Sequence, residues 1–119
     1  THTLKVIVDE KAYLDSKFNL KKLSQITNIK TNHLSEIINN YWGKSLNEVC
    51  NNYRIEHSVQ LLANSEYRNK IIFTIYQDCG FSSKSTFYKI FKQHIGVSPA
   101  LYKRKTSLAH IFENNPYNS

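Results

Sequence analysis

Residues 80–102 read GFSSKSTFYKIFKQHIGVSPALY, and this stretch decides the fold. Its apolar residues recur on one face of a helix: Phe87, Ile90, Phe91 and Ile95. Ser82 or Ser83 can cap the start of that helix, and Gly96 suits the left-handed residue that ends one. Pro99 opens a further helix, because proline is favoured at a first helical position. The stretch therefore predicts a helix between two turns, followed at once by another helix.

A similar arrangement occurs earlier in the chain. Ahead of a predicted turn, three residues match three others at an offset of 52: Leu23, Ser24 and Asn28 with Ile75, Tyr76 and Gly80. Beyond the turn the offset is 53, and five residues match: Leu34, Ile37, Ile38, Gly43 and Ser45 with Phe87, Ile90, Phe91, Gly96 and Ser98. Each unit thus predicts a short helix, a tight turn and a second helix, which is the helix-turn-helix pattern.

The remaining sequence also predicts helices. Apolar spacing and caps indicate a first helix over Val6–Lys17, a second that Asn19 caps and a third that Thr31 caps. The third helix is expected to bury one apolar side: Leu34, Ile37, Ile38 and Tyr41. No strand pattern is found, so the predicted fold class is all-α with about seven helices.

The longest periodic stretch, residues 45–64, lies between the two units. Ser45 and Glu48, three positions apart, have the spacing of a capping box. A helix of these 20 residues extends about 30 Å, and major-groove faces on one side of B-DNA repeat at about 34 Å. The sequence predicts a linker helix long enough to hold two helix-turn-helix units on adjacent turns of one duplex.

Charge is unevenly distributed along the chain. The 119 residues carry a formal charge of +7, with 16 Lys and Arg against 9 Asp and Glu. Residues 20–44 carry +3 (four Lys, one Glu) and residues 70–106 carry +6 (six Lys and one Arg, one Asp), whereas residues 45–69 carry −1 (two Arg, three Glu). Two basic blocks, each with one helix-turn-helix unit, favour a polyanion contacted at two places. The charge alone is equally compatible with a basic protein that has no such partner.

Composition and spacing exclude several classes of protein. The length suits one compact domain or two small ones, and no catalytic triad, paired carboxylates or glycine-rich phosphate loop is present, so no enzyme is expected. Cys50 and Cys79 lie on apolar stripes and are expected to be buried thiols, and no metal or cofactor is expected. No run approaches the roughly 18 apolar residues of a membrane span. Because the chain starts at Thr1 and contains no Met, we expect it to be a piece of a longer protein.

These motifs resemble the DNA-binding domain of AraC/XylS-type bacterial transcription regulators, over about residues 4–105. The specific part of the resemblance is near the C-terminus: residues 80–87, Phe91-Lys92, residues 96–99 and Tyr102. Weaker support comes from earlier segments: residues 23–34, 43–46 and 53–55. Tyr76 stands where the family usually has Ala, and Asn28 where it usually has Gly.

The resemblance implies a domain organisation. Residues 1–44 would form the N-terminal helix and first helix-turn-helix, residues 45–64 the linker helix, residues 65–112 the second helix-turn-helix and C-terminal helix, and residues 113–119 a loose tail. It also implies sequence-specific binding of double-stranded DNA by the output domain of a transcription regulator. That regulator would be cytoplasmic, or on the cytoplasmic side of a membrane-linked sensor. Its partners would be DNA and RNA polymerase; this chain is expected to be monomeric, with dimerisation left open for the full-length protein.

Two sets of residues are candidates for contact with DNA. Seven lie on the exposed sides of the two predicted recognition helices and can reach bases: Asn32, Ser35, Glu36, Lys84, Ser85, Tyr88 and Lys89. Nine are candidates for phosphate contacts: Lys21, Lys30, Thr31, Lys44, Arg54, Ser83, Lys92, Lys103 and Arg104. Asn can pair with adenine and Glu can accept from the cytosine amino group, although Glu36 can equally lie on a solvated face. Neither helix contains Arg, so the commonest bidentate contact to guanine is missing.

Two other functions remain compatible with the sequence. One is a helical protein-interaction module whose charge is incidental, in which case exchange of Lys84 and Lys89 leaves partner binding unchanged. The other is binding of single-stranded RNA, which requires exposed aromatic side chains as a stacking platform.

Overall fold

Helices and turns make up the structure, a computed structural model that describes residues 2–67 and 69–113, with side chains as far as residue 106. Seven α-helices occur in this part: α1 (His2–Leu4), α2 (Leu20–Thr27), α3 (Thr31–Trp42), α4 (Leu46–Ala63), α5 (Ile72–Asp78), α6 (Lys84–Ile95) and α7 (Pro99–Glu113). Shorter turns complete it: a π-helical turn (Lys5–Asp9) and two 3₁₀ turns (Ala12–Leu14 and Ser65–Tyr67). No strand occurs in the described ranges, which confirms the all-α class. Residues 114–119 of the predicted tail lie outside them.

The chain divides into two compact units, Thr1–Arg54 and Ile55–Ser119, and the boundary falls within α4. The first unit buries its own set of side chains: Val6, Ile7, Tyr13, Phe18, Leu23, Leu34, Ile38, Leu46, Val49 and Cys50. The second buries another: Ile55, Leu62, Ile75, Tyr76, Cys79, Phe81, Phe87 and Phe91. Each helix-turn-helix therefore has its own hydrophobic core.

Several matched residues of the sequence repeat agree in burial or in backbone conformation. The matched apolar residues Leu23 and Ile75, and likewise Leu34 and Phe87, are fully buried. The matched turn residues all have positive φ: Asn28 (60°) and Gly80 (93°), Gly43 (68°) and Gly96 (93°). Asn tolerates the left-handed region better than most other residues, which explains how Asn28 serves where the second unit has Gly. The predicted repeat is thus a repeat of structure.

Three helices begin at predicted caps, at Asn19, Ser45 and Ser83, and a fourth begins at the hydroxyl of Ser98. Asn19 Oδ1 accepts a hydrogen bond at 2.9 Å from the amide three residues on, at the start of α2. At the start of α4, Ser45 Oγ accepts from the Glu48 amide at 3.2 Å, while Glu48 Oε1 accepts from the Ser45 amide at 3.5 Å. Ser98 Oγ caps α7 in the same way at 3.1 Å. These contacts span three residues, which is why the sequence reveals them.

Ser83, and not Ser82, caps α6, because Ser83 Oγ accepts from the amide of Thr86 at 3.2 Å. Replacing Ser83 with Ala leaves that donor without its partner and should lower the free energy of unfolding by about 1 kcal/mol. The exposed neighbour provides a matched control, and Ser82→Ala should change stability by less than about 0.5 kcal/mol. Urea denaturation checks both, and equal stabilities would contradict the capping role.

The predicted helix over Val6–Lys17 is wrong. Lys11 has a φ of 54°, which interrupts the helix. The carbonyl oxygens of Tyr13 and Asp15 accept hydrogen bonds from the Arg54 guanidinium of α4, at 2.6 and 3.1 Å, and the Asp15 oxygen also accepts from the amide of Phe18 at 3.0 Å. Arg54, about 40 positions away in sequence, thus helps to decide the backbone conformation of this segment. Hydrophobic periodicity depends on neighbours within a few turns and cannot detect such a contact.

Two details of α3 also differ from the prediction. The helix begins at Thr31, so Lys30 occupies the N-cap position. Tyr41, expected to be buried, is 64% exposed and packs edge-to-face on Trp42 with ring centroids 4.8 Å apart. The apolar side of α3 reaches solvent in its last turn, and spacing alone does not show where a core ends.

Cys50 and Cys79 are free and buried, as predicted, one in each core. Burial raises the pKa of the Cys50 thiol to about 11 and that of Cys79 to about 12. Both thiols are therefore protonated at neutral pH, and a protonated, buried thiol is a poor nucleophile and a poor metal ligand.

Candidate nucleic-acid interface

The first helix-turn-helix consists of α2, a left-handed turn at Asn28 and α3. Ser24 Oγ of α2 donates to the carbonyl oxygen of Ile29 at 2.5 Å, which ties the turn to the helix before it. Thr27 Oγ1 donates to the carbonyl oxygen of Leu23 at 2.8 Å. The sequence placed Ser24 in the repeat but did not predict this role.

One side of α3 is polar and exposed. The three predicted base contacts of this helix all lie on it: Asn32, Ser35 and Glu36. Asn39, one turn further on, is exposed as well and was not predicted. The repeat could have revealed it, because Asn39 matches Lys92 at the offset of 53.

The second helix-turn-helix consists of α5, a turn around Gly80 and α6. The amide of Phe81 donates to the carbonyl oxygen of Tyr76 at 3.0 Å, which closes the turn. Tyr76, the residue that departs from the resemblance, is buried, with its ring centroid 5.8 Å from that of Phe87 and 5.4 Å from that of Phe73. A large aromatic residue therefore packs between the two helices.

The exposed side of α6 is basic. Lys84, Ser85 and Lys89 are exposed and Tyr88 is half-buried, so the structure brings together the four predicted base contacts of this helix. The Lys84 ammonium lies 5.2 Å from the centroid of the Tyr88 ring, a cation–π distance. Ser85 Oγ lies 3.0 Å from Ser83 Oγ, next to the helix cap.

The predicted phosphate contacts are divided among different environments. Six are exposed: Lys21, Lys30, Thr31, Lys44, Lys92 and Arg104. Ser83 and Lys103 are half-buried, and the Lys103 ammonium donates to the carbonyl oxygen of Lys70. Six of the nine are therefore accessible on the surface in the manner that a phosphate contact requires.

Arg54 is a structural residue of the first unit, contrary to the predicted phosphate contact. It is only 6% exposed, and its guanidinium donates to the carbonyl oxygens of Tyr13 and Asp15 and to Asn51 Oδ1. Burial lowers its pKa from the usual value. Arg54 matches a position of the family motif, but its guanidinium donates hydrogen bonds inside the first unit instead of reaching the surface.

Residues 2–67 and 69–113 contain no helix with the length and apolar character of a membrane span. Within the same residues, no three His, Cys, Asp or Glu side chains lie close enough to hold a metal ion.

Comparisons with known proteins match the geometry. The model of a family described as a helix-turn-helix domain matches residues 23–105. No curated protein matches the chain. Among solved structures, the C-terminal domain of AraT, a response regulator from Geobacillus stearothermophilus, is 25% identical, with a TM-score of 0.76 and coverage of 87% of this chain and 82% of that one.

Two further structures share the fold. The C-terminal domain of the two-component response regulator yesN from Fusobacterium nucleatum is 23% identical, with a TM-score of 0.74 and coverage of 87% of this chain and 99% of that one. A Listeria innocua protein of unknown function is 21% identical, with a TM-score of 0.70 and coverage of 80% and 87%. Since the family match spans more than half of the chain, the protein belongs to the AraC-type helix-turn-helix family and is a DNA-binding domain of a transcription regulator.

Proposed function

We propose that the chain binds double-stranded DNA sequence-specifically, with its recognition helices α3 and α6 in adjacent major grooves. The observation that carries this proposal is the structural repeat. Each recognition helix follows a positive-φ turn, buries one apolar side in its own unit and leaves the opposite polar side exposed. A helix with one free polar side can enter the major groove, where base edges present distinct hydrogen-bonding patterns.

The side chains on the polar sides of the two helices are the contacts that we propose with bases, and all of them are exposed except Tyr88, which is half-buried. On α3 these are Asn32, Ser35 and Glu36; on α6 they are Lys84, Ser85, Tyr88 and Lys89. Asn suits adenine, and Lys can donate to guanine O6 and N7 or, without reading a base, to a phosphate oxygen. Because neither helix contains Arg, we expect part of the specificity to come from the sequence-dependent shape of the duplex.

Four lysines, one arginine and one threonine around the helices supply the proposed phosphate contacts. The exposed candidates are Lys21, Lys30, Thr31, Lys44, Lys92 and Arg104. Neutralising about six phosphates gives a log–log slope of affinity against salt near −5. Affinity should therefore fall steeply as salt increases.

The relatives suggest a place for the domain in a longer protein. Two of the similar structures are C-terminal domains of response regulators. We propose that this chain is the output part of a cytoplasmic bacterial regulator that acts with RNA polymerase, and that the chain by itself is a monomer. Since the family is one of DNA-binding domains that are typically non-enzymatic, we propose no catalytic activity.

Footprinting on a duplex selected from random sequences tests the proposal. We expect protection of about 20 bp, in two patches on one side of the duplex one helical turn apart. Affinity should show the steep salt dependence given above. Protection of one short half-site would contradict two-groove binding, and equal affinity for random duplexes would contradict sequence specificity.

Exposed apolar side chains in the second unit favour one alternative, a protein-interaction module. Ile71 is 64% exposed and Phe73 is 50% exposed. Replacing both Lys84 and Lys89 with Ala separates the two functions, because it should abolish DNA binding but need not alter a protein partner that docks on Ile71 and Phe73. Unchanged DNA affinity in this double variant would favour the alternative.

A further inference from the structure

The two recognition helices carry different charges at matched positions. The offset of 53 pairs three residues of α3 with three lysines of α6: Thr31 with Lys84, Glu36 with Lys89 and Asn39 with Lys92. All six side chains are exposed. The α3 helix thus presents one carboxylate and no Lys or Arg, whereas α6 presents three lysines and no acid. Two helices with the same fold therefore present opposite charge to a duplex.

No Lys or Arg lies next to Glu36 along α3. The residues three and four positions away, at the spacing where helical side chains meet, are Asn32, His33, Asn39 and Asn40. Among the described residues no ion pair includes Glu36; the pair that occurs joins Lys22 to Asp15 at 3.5 Å. Near the phosphates of DNA, the negative charge of Glu36 therefore opposes binding unless a base donates a hydrogen bond to it.

Base chemistry decides which duplexes relieve that repulsion. In the major groove, cytosine N4 and adenine N6 are donors that a carboxylate can accept from. Guanine O6 and thymine O4 are acceptors, so they add repulsion to that of the phosphates. A carboxylate at this position thus distinguishes bases by penalising the wrong ones, which is a recognised route to specificity.

Lys89 has the reverse effect at the matched position. An exposed ammonium is attracted to phosphate whatever the sequence, and neutralising a phosphate releases counterions. Lys84 and Lys92, on the same exposed side of α6, add to this sequence-independent attraction.

Resting on the DNA binding proposed above, we propose that the two helices contribute differently: the lysines of α6 add sequence-independent affinity to that of the lysines around both units, and α3 supplies selectivity. Glu36 is the specificity-determining residue of α3, and at its position it selects cytosine or adenine over guanine or thymine on the strand whose base it faces. Lys89 is its counterpart for affinity.

Substitutions that remove one charge and keep the side-chain shape test this difference. Glu36→Gln is compared with Glu56→Gln, an exposed helical glutamate of α4. Lys89→Gln is compared with Lys105→Gln, an exposed lysine of α7. Dissociation constants are measured at several salt concentrations for two probes of about 30 bp, roughly three helical turns: a duplex selected by the wild-type protein and a pool of random duplexes.

The two charge changes should have different effects. Glu36→Gln should tighten binding to the random pool by about fivefold at low salt and lower the ratio of selected to random affinity by about tenfold. Because salt screens the repulsion that is removed, the tightening should shrink as salt rises and the salt slope should become slightly steeper. Lys89→Gln should weaken binding to both probes by a similar factor and reduce the salt slope by about 0.9, with the ratio unchanged. Repeating the selection with Glu36→Gln should relax the preference at one base pair. The two control variants should leave the ratio and the salt slope near wild type.

Other results would overturn the inference. If Glu36→Gln and Glu56→Gln alter the ratio equally, the effect is one of net charge and Glu36 is not a specificity determinant. If Lys89→Gln lowers the ratio as much as Glu36→Gln does, the two helices do not differ in role. Failure of the wild-type protein to prefer any duplex would instead contradict the proposed function itself.

Discussion

Replacing Arg54 with Met should destabilise the first unit by about 3 kcal/mol, since the carbonyl oxygens of Tyr13 and Asp15 lose charged donors inside the protein. Met keeps most of the apolar length of the side chain, so the loss reports the hydrogen bonds. Urea denaturation followed by fluorescence of Trp42, the single Trp of the chain and part of the first unit, measures the effect directly.

Two further substitutions sharpen this measurement. Arg54→Lys retains the charge but not the planar fork that spans two carbonyl oxygens, so it should recover little of the lost stability. Arg104→Met, at an exposed arginine of α7, should cost less than about 0.5 kcal/mol. If Arg54→Met kept wild-type stability and lost affinity for DNA, the structural role of Arg54 would be wrong and the phosphate contact predicted from sequence would be right.

Replacing Phe87 with Ala should lower the free energy of unfolding of the second unit by about 4 kcal/mol, the usual cost of emptying a fully buried aromatic site. Phe87 packs against four aromatic rings at centroid distances of 5.2–6.0 Å: Tyr76, Phe81, Tyr88 and Phe91. It also belongs to the recognition helix α6. Because typical domains are stable by only about 5–15 kcal/mol, DNA binding through α6 should weaken together with folding.

Far-UV circular dichroism during urea denaturation sums the helices of both units, so it is compared with the fluorescence of Trp42, which reports the first unit alone. Phe73→Ala is the matched control: Phe73 is on the neighbouring helix but is 50% exposed, so its loss should cost about 1 kcal/mol. Equal destabilisation by the two substitutions would contradict the central position of Phe87 in the core.

Much of the candidate interface could be predicted from sequence because the relevant interactions are local. The polar residues Asn32, Ser35 and Glu36 are exposed since Leu34 and Ile38 on the same helix are buried, and a period of 3.6 residues separates the two sides. The same reasoning holds for α6. Where exposure depends on the extent of the core rather than on helical period, as for Tyr41, the prediction was wrong.

The sequence by itself determined six of the seven helices, α2 to α7, together with the doubled helix-turn-helix and the caps at Asn19 and Ser45, because each depends on residues within one or two turns of each other. Only the tertiary structure decided that the first segment bends at Lys11 and that Arg54 lies inside the first unit. Both depend on hydrogen bonds between residues about 40 positions apart. Contacts of that range follow from how the chain packs, and hydrophobic period and motif position do not contain that information.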